Sequence, residues 1–282
     1  MKQTKTIFAS ALVLVSVGLT SMVVAEGNSR DGKAVVRSMH GDVQYQVAGG
    51  EFKKLRTNME LTKDTVLKSA AGAEAYLQVN GFTSTVKLTE STEMTLEKME
   101  QVGGFIGGDS TTDLKLASGT LLGSVRKISA NSEYKVAVPN GVAGIRGTDF
   151  QVTVTFNGNN FTVVFTSVTG QISCAVVNAP PGTQSTANLT TGQSWTVNGT
   201  VSTANGVTTV SVGTVQTAPQ SVIIAAQTGI TQLQQVIVQS TTPPTTTTPP
   251  PPPPNQTDGT GSGGGNGGSG NGGNGGNGGG NG

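Results

Sequence analysis

One histidine and one cysteine bound the nucleophilic chemistry open to this 282-residue chain. His40 stands next to Gly41 and reads as a turn residue. Cys174 lies in Ile172-Ser-Cys-Ala-Val176, the pattern of a buried strand, and reads as an inert thiol; as the only cysteine it forms no intramolecular disulfide. A Ser-His-Asp or Cys-His arrangement would have to recruit His40 through tertiary folding, and nothing local supports it. Glu93, Glu97 and Glu100 could pair as glycosidase carboxylates, but beside Lys98 they read as a solvated face. No Cys/His spacing or calcium-loop pattern offers a metal site. Gly103–Gly108 and Gly141–Gly147 both lack the lysine and following helix of a phosphate loop. The expectation is a protein with no catalytic residues, no cofactor and no metal, hence not an enzyme.

Charge narrows the classes further. The chain carries 17 Lys+Arg and 16 Asp+Glu. Lys2 and Lys5 precede the apolar run Ile7 to Val24, and Val23-Val24-Ala25 has the form of a leader cleavage site, predicting a mature chain that starts at Glu26. Without Lys2 and Lys5, 15 basic residues remain against 16 acidic ones, a net of −1. Such a balance gives no footprint for nucleic acid or an anionic membrane surface. Nothing after the leader is apolar enough to span a membrane. After Asp149 the only charged residue is Asp258, so the second half offers little acid–base chemistry and little charge to blunt strand edges. The sequons at Asn160, Asn188, Asn198 and Asn255 are read as incidental.

The densest pattern is Tyr134-Lys-Val-Ala-Val-Pro-Asn-Gly-Val-Ala-Gly-Ile-Arg-Gly-Thr-Asp-Phe-Gln-Val152. It reads as strand, turn, strand. Tyr134, Val136 and Val138 alternate with Lys135 and Ala137, and Pro139 ends the run because it has no N–H for a ladder. Gly141, Gly144 and Gly147 recur every three residues and mark sharp bends. Phe150 and Val152 resume the alternation. Arg146 is the charged residue within the glycines, with five donors on its guanidinium. It reads as a buried anchor tying neighbouring carbonyls, or as a surface recognition point for a carboxylate or a partner protein.

This stretch resembles the signature of the FecR family through Val138-Pro139-Asn140-Gly141, Gly144, Arg146, Gly147, Thr148 and Phe150. Gly41-Asp42-Val43, Phe52 to Leu55, Leu61, Asp64, Val66, Leu77, Gly81, Leu88 and Leu116 to Gly119 fit the same family, so the resemblance covers about residues 36–155. Asn58 and Lys63 stand where glycines are common. The resemblance implies signal transduction: an inner-membrane regulator whose cytoplasmic segment controls a sigma factor and whose periplasmic part senses an outer-membrane transporter. Six residues before the apolar run are too few for a sigma-binding segment, so the expectation departs from that plan.

The remaining elements fit an all-β domain over 34–215, a compact β-roll, solenoid-like or sandwich fold of short strands. Ala34 to Val47 reads as a strand pair turning at His40-Gly41-Asp42. Ala75 to Leu88 reads as a hairpin on Asn80-Gly81, and Phe150 to Val168 as another on Asn157 to Asn160. Leu114 to Val125 reads as a strand pair broken at Ser118-Gly119, and Gly103 to Thr112 as a loop. Strands near Trp195 and Val210 flank Asn198-Gly199 and Asn205-Gly206. Residues 216–240 fit a short helix or a strand. Residues 241–258 read as a Thr/Pro-rich linker of polyproline II character, and 259–282 as a Gly/Asn-rich disordered tail. The leading expectation is an exported, non-enzymatic domain, periplasmic, at the cell surface or secreted. It binds a partner protein or an envelope polymer. The alternatives are a self-associating surface or matrix protein and a periplasmic sensor component of FecR-type signalling.

Overall fold

A computed structural model describes residues 29–81, 83–102, 108–201 and 208–241. The leader with its Ala25–Glu26 junction, the Asn205-Gly206 turn and the tail after residue 241 lie outside them. The chain opens with β1 (Ser29–Asp31), β2 (Ala34–His40), β3 (Val43–Val47), β4 (Lys53–Lys54) and β5 (Glu60–Leu61). Then come β6 (Thr65–Ser69), β7 (Glu74–Val79), β8 (Ser84–Leu88), β9 (Glu93–Val102) and the 17-residue β10 (Asp109–Val125). β11 (Glu133–Val138), β12 (Gly141–Ile145), β13 (Asp149–Asn157), β14 (Asn160–Thr169) and β15 (Ile172–Val176) follow. β16 (Thr186–Leu189), β17 (Gln193–Val201), β18 (Thr208–Val212), β19 (Gln216–Thr217) and α1 (Gln220–Thr241) complete the order.

The strands form one open mixed sheet folded into two layers through β10. Sheet I runs β4–β3–β6–β9–β10–β11–β12–β15–β16, with β1 beside the end of β9. Sheet II runs β5–β2–β7–β8–β10–β13–β14–β17–β18, with β19 also on β17. These ladders close no ring, so each sheet keeps two edges. The chain winds from layer to layer as it advances along both sheets, which makes the sandwich a roll. The layers meet in one apolar core that joins Leu67, Met94 and Leu96 of sheet I to Leu77, Val86 and Leu88 of sheet II. Tyr134 of sheet I meets Phe150 of sheet II edge-on, with ring centroids 6.3 Å apart.

Several local expectations change because turns redirect the chain between layers. Ala34 to Val47 is not a hairpin: β2 pairs with β7 and β3 with β6, so His40-Gly41-Asp42 carries the chain from one sheet to the other. Ser118-Gly119 does not separate two strands either. β10 runs through it, pairing with β9 before and with β8 and β13 after. Gly119 holds φ +89°, and a Cβ there would sit 2.5 Å from the Thr92 backbone, so only glycine fits the switch. Asn80 and Gly81 do take positive φ, at 48° and 66°, but β8 begins at Ser84, so the connection is longer than a two-residue turn. Asn198-Gly199 lies within β17 rather than in a turn; Gly199 leaves room for the Phe161 ring, which a Cβ would meet at 2.1 Å.

Of the helix and strand readings left open for 216–240, the structure takes the helix, after the two-residue β19. Ile223, Ala226, Ile230, Leu233 and Ile237 recur at spacings of three and four and form its buried stripe. They cover the outer face of sheet II at Leu122, Val168 and Tyr76. This explains why β7 and β8 are buried on both faces, Lys87 and Gln78 included. Among the described residues no helix is long and apolar enough to cross a membrane.

Candidate functional site

At one rim of the roll the chain repeatedly crosses between layers, and the crossing corners stack. They are residues 126–132 (β10 to β11), 146–148 (β12 to β13), 170–171 (β14 to β15) and 190–192 (β16 to β17). Hydrogen bonds link each to the next. Arg146 Nη2 donates to the Ile128 carbonyl at 3.4 Å. Thr148 Oγ1 donates to the Gln171 carbonyl at 2.8 Å. The Gly170 N–H donates to Thr191 Oγ1 at 3.0 Å.

The glycine-rich stretch is therefore not a single turn. Val138 and Gly141 close a tight β11–β12 hairpin over Pro139-Asn140, with Asn140 at φ 55°. Gly141 and Gly144 then lie in β12, between β11 and β15. Gly147 makes the corner at φ +63°, with the Lys127 backbone 3.3 Å from where its Cβ would be. Phe150 enters the core of sheet II, with its ring in the space left by Gly123.

Arg146 departs from the buried-anchor reading: it is exposed at the corner. Thr148 takes the anchoring role. It is buried, its backbone N–H and C=O both pair with Val125 at 3.0 Å, and its hydroxyl also lies 3.1 Å from the Arg146 carbonyl. A β-branched residue with one donor suits a packed corner that must satisfy carbonyls. A guanidinium there would have to be desolvated.

Beside this corner lies a cleft of about 490 Å³, lined in part by Arg30, Lys33, Asn80, Asp109, Arg126 and Lys127. The charges come from three separate stretches, at 30–33, 109 and 126–127, which is why a linear reading misses the cluster. Lys33 meets Glu60 at 2.5 Å, and Asp31, also in the wall, meets Lys63 at 3.2 Å. Asp109 accepts from Ser129 and Asn131 at 2.5 and 3.2 Å, and these hydrogen bonds hold its carboxyl below the usual carboxylate range. Arg30, Arg126 and Lys127, with Arg146 next to them, give the rim a positive excess. The chemistry that the cations of this arrangement offer is recognition of anionic groups.

The other singled-out residues lie elsewhere. His40 is exposed at the end of β2, on the opposite rim. Cys174 is buried in the core, and burial pushes its thiol up to about 12. Glu93, Glu97 and Glu100 stay on the outer face of sheet I, paired with Lys68, Lys115 and Lys98 at 3.1, 3.6 and 3.2 Å. Among the described residues no group of three His, Cys, Asp or Glu could hold a metal. A polar cluster that the sequence did not suggest lies under α1: Lys87 Nζ meets Glu74 Oε2 at 2.7 Å and Gln232 Oε1 at 3.3 Å.

Residues 65–173 match the family model described as FecR protein. This segment is a FecR domain. It runs from β6 into β15 and holds the whole glycine-rich signature, while the upstream motifs at Gly41 to Asp64 precede it. Two crystal structures of a candidate anti-sigma factor from Parabacteroides distasonis ATCC 8503 resemble the chain at 13% and 14% identity, each with a TM-score of 0.33. Each covers 52% of this chain, and the chain spans 59% of each of theirs. No curated protein matches the chain.

Proposed function

We propose that this chain is an exported, non-enzymatic FecR-domain protein that binds an acidic protein partner at the cationic rim of its roll. The observation that carries this reading is the meeting of Arg146, from the signature corner, with the cleft walled by Arg30, Arg126 and Lys127. Exposed guanidinium groups on a hydrogen-bonded corner are preorganised for carboxylates and lose little entropy on binding. The leader pattern at 1–25 supports export to the periplasm, the cell surface or the medium.

The test uses the chain recovered from its expressing host. Mass spectrometry should find Glu26 at the mature N-terminus. Wild type should bind isolated cell envelopes in a salt-sensitive way, and Arg146→Ala with Lys127→Ala should bind at least tenfold more weakly at unchanged melting temperature. Loss of binding on protease treatment of the envelopes identifies a protein partner. Binding that survives protease identifies an anionic envelope polymer instead. Equal binding by wild type and variant overturns the rim as the site.

A second reading is favoured by the FecR domain itself: a sensor component of FecR-type signal transduction. Deleting the gene should then change transcription of a sigma-dependent regulon when the inducing ligand is present. An unchanged transcriptome under induction would exclude it.

A further inference from the structure

The two ends of the roll differ in charge, and the difference marks one sheet edge as an interface. At the early end the outer strands are β4, which is Lys53-Lys54, and β5, which contains Glu60. Charges on an edge strand, lysines above all, resist pairing with another chain. At the late end the outer strands are β16, β18 and the two-residue β19, and no charged residue occurs between Asp149 and Asp258. β16 has four residues, and its Thr186 carbonyl already accepts from Gln184 Nε2 at 2.8 Å. β18, Thr208-Thr-Val-Ser-Val212, pairs with β17 on one side and with no strand on the other among the described residues.

The alternation of the ladder says which groups point outward. The Gly213 N–H donates to the Thr196 carbonyl at 3.0 Å, so Gly213, Ser211 and Thr209 face β17. Thr208, Val210 and Val212 therefore direct their N–H and C=O away from it. In the side chains the same alternation holds: Val210 is buried towards the core, and Thr209 and Ser211 are exposed on the outer face.

We propose that β18 pairs antiparallel with β18 of a second copy, about a two-fold axis through Val210, to form a closed dimer. Val210 then bonds to its own counterpart, and Thr208 to Val212. The inner faces continue one core across the axis. A two-fold contact sets each surface against itself, so a charged edge meets its own charge. The uncharged β18 bears no such cost, whereas β4 would bring lysines together. This asymmetry selects a second copy as the occupant and stops assembly at two. The inference is independent of the cationic rim.

The register gives the test. In the dimer Thr209 stands opposite Ser211 of the second copy. Sedimentation velocity on the full chain at about 1–100 μM should show a monomer–dimer equilibrium. Thr209→Lys with Ser211→Lys places lysines directly opposite each other twice and should weaken the dimer roughly tenfold or more. Thr209→Lys with Ser211→Glu places lysine opposite glutamate and should restore it. A wild type that stays monomeric overturns the proposal, as does assembly that grows beyond two. Equal dimerisation by the two double variants also overturns it, because both carry charge on the same strand and differ only in what the two-fold axis opposes. Lasting weakness of the Lys/Glu variant, with an unchanged melting curve, refutes the register and with it the proposal.

Discussion

Thr148 donates its hydroxyl to the Gln171 carbonyl at 2.8 Å, joining two successive corners of the roll. Thr148→Val keeps the shape and removes the donor. The Gln171 and Arg146 carbonyls then lose their shared partner at a buried site. The expected cost is about 2 kcal/mol, or roughly 4–8 °C in melting temperature for a domain of this size. Arg146→Ala, at an exposed position, should shift stability by less than about 0.5 kcal/mol. Thermal melts of both variants decide whether threonine or arginine anchors the signature corner; a larger loss for Arg146→Ala would reverse the assignment.

Gly119→Ala should be among the most damaging single-methyl changes in the chain. The new Cβ would lie 2.5 Å from Thr92 Cα and 2.7 Å from the Ser91 carbonyl, both backbone atoms that cannot rotate away, and φ is +89°. Overpacking and left-handed strain together cost at least about 3 kcal/mol. Because β10 belongs to both sheets, the loss should be global: a single, lower transition by circular dichroism. Two separate transitions would show that the sheets unfold independently.

Much of the fold was legible because β-rolls are built from short-range signals. Alternation at Tyr134, Val136 and Val138 placed β11, and Phe150, Val152 and Val154 placed β13. The crossings were not legible. His40-Gly41-Asp42 and Asn157 to Asn160 both look like turns, yet the first changes sheets and the second closes a hairpin between β13 and β14. Only long-range pairing decides which. The signature glycines were found by spacing. Their neighbours Arg30, Arg126 and Lys127 were not, since those cations meet the Arg146 corner only after three separate stretches fold together. The two readings of Arg146 stay open in the sequence because a guanidinium's donor count says nothing about its burial, and Thr148 stands there as a signature residue whose anchoring role shows only once the corner closes around it.

Cys174 should be silent towards thiol reagents in the folded protein. Burial raises its thiol to about 12, so almost none is thiolate at pH 8, and the side chain is enclosed between sheets. Labelling with a maleimide at pH 8 should proceed only as fast as global unfolding, and should become complete in denaturant. Rapid native-state labelling would mean that the layer around β15 opens locally.

The acid limb of stability should run through Glu74, beneath α1. Burial alone would raise its carboxyl, but hydrogen bonds from Lys87 and Tyr76 outweigh it and the net direction is down. A depressed carboxyl adds stability above its unfolded value of about 4.5 and loses it as pH falls through the folded value. Lys87 is depressed by burial and raised further by Glu74 and Tyr76, with a net upward direction, so its share persists until pH rises past about 10.5. Glu74→Gln should therefore cost about 2 kcal/mol near neutrality, the scale of a hydrogen bond to a charged group. The gap should close only as pH falls through the depressed folded value of Glu74, where the wild-type side chain is itself protonated and resembles glutamine. Melting temperatures of both proteins from pH 3 to 8 check this. A gap that stays constant across that range would place the source of the loss in packing under α1 rather than in the Lys87–Glu74 pair.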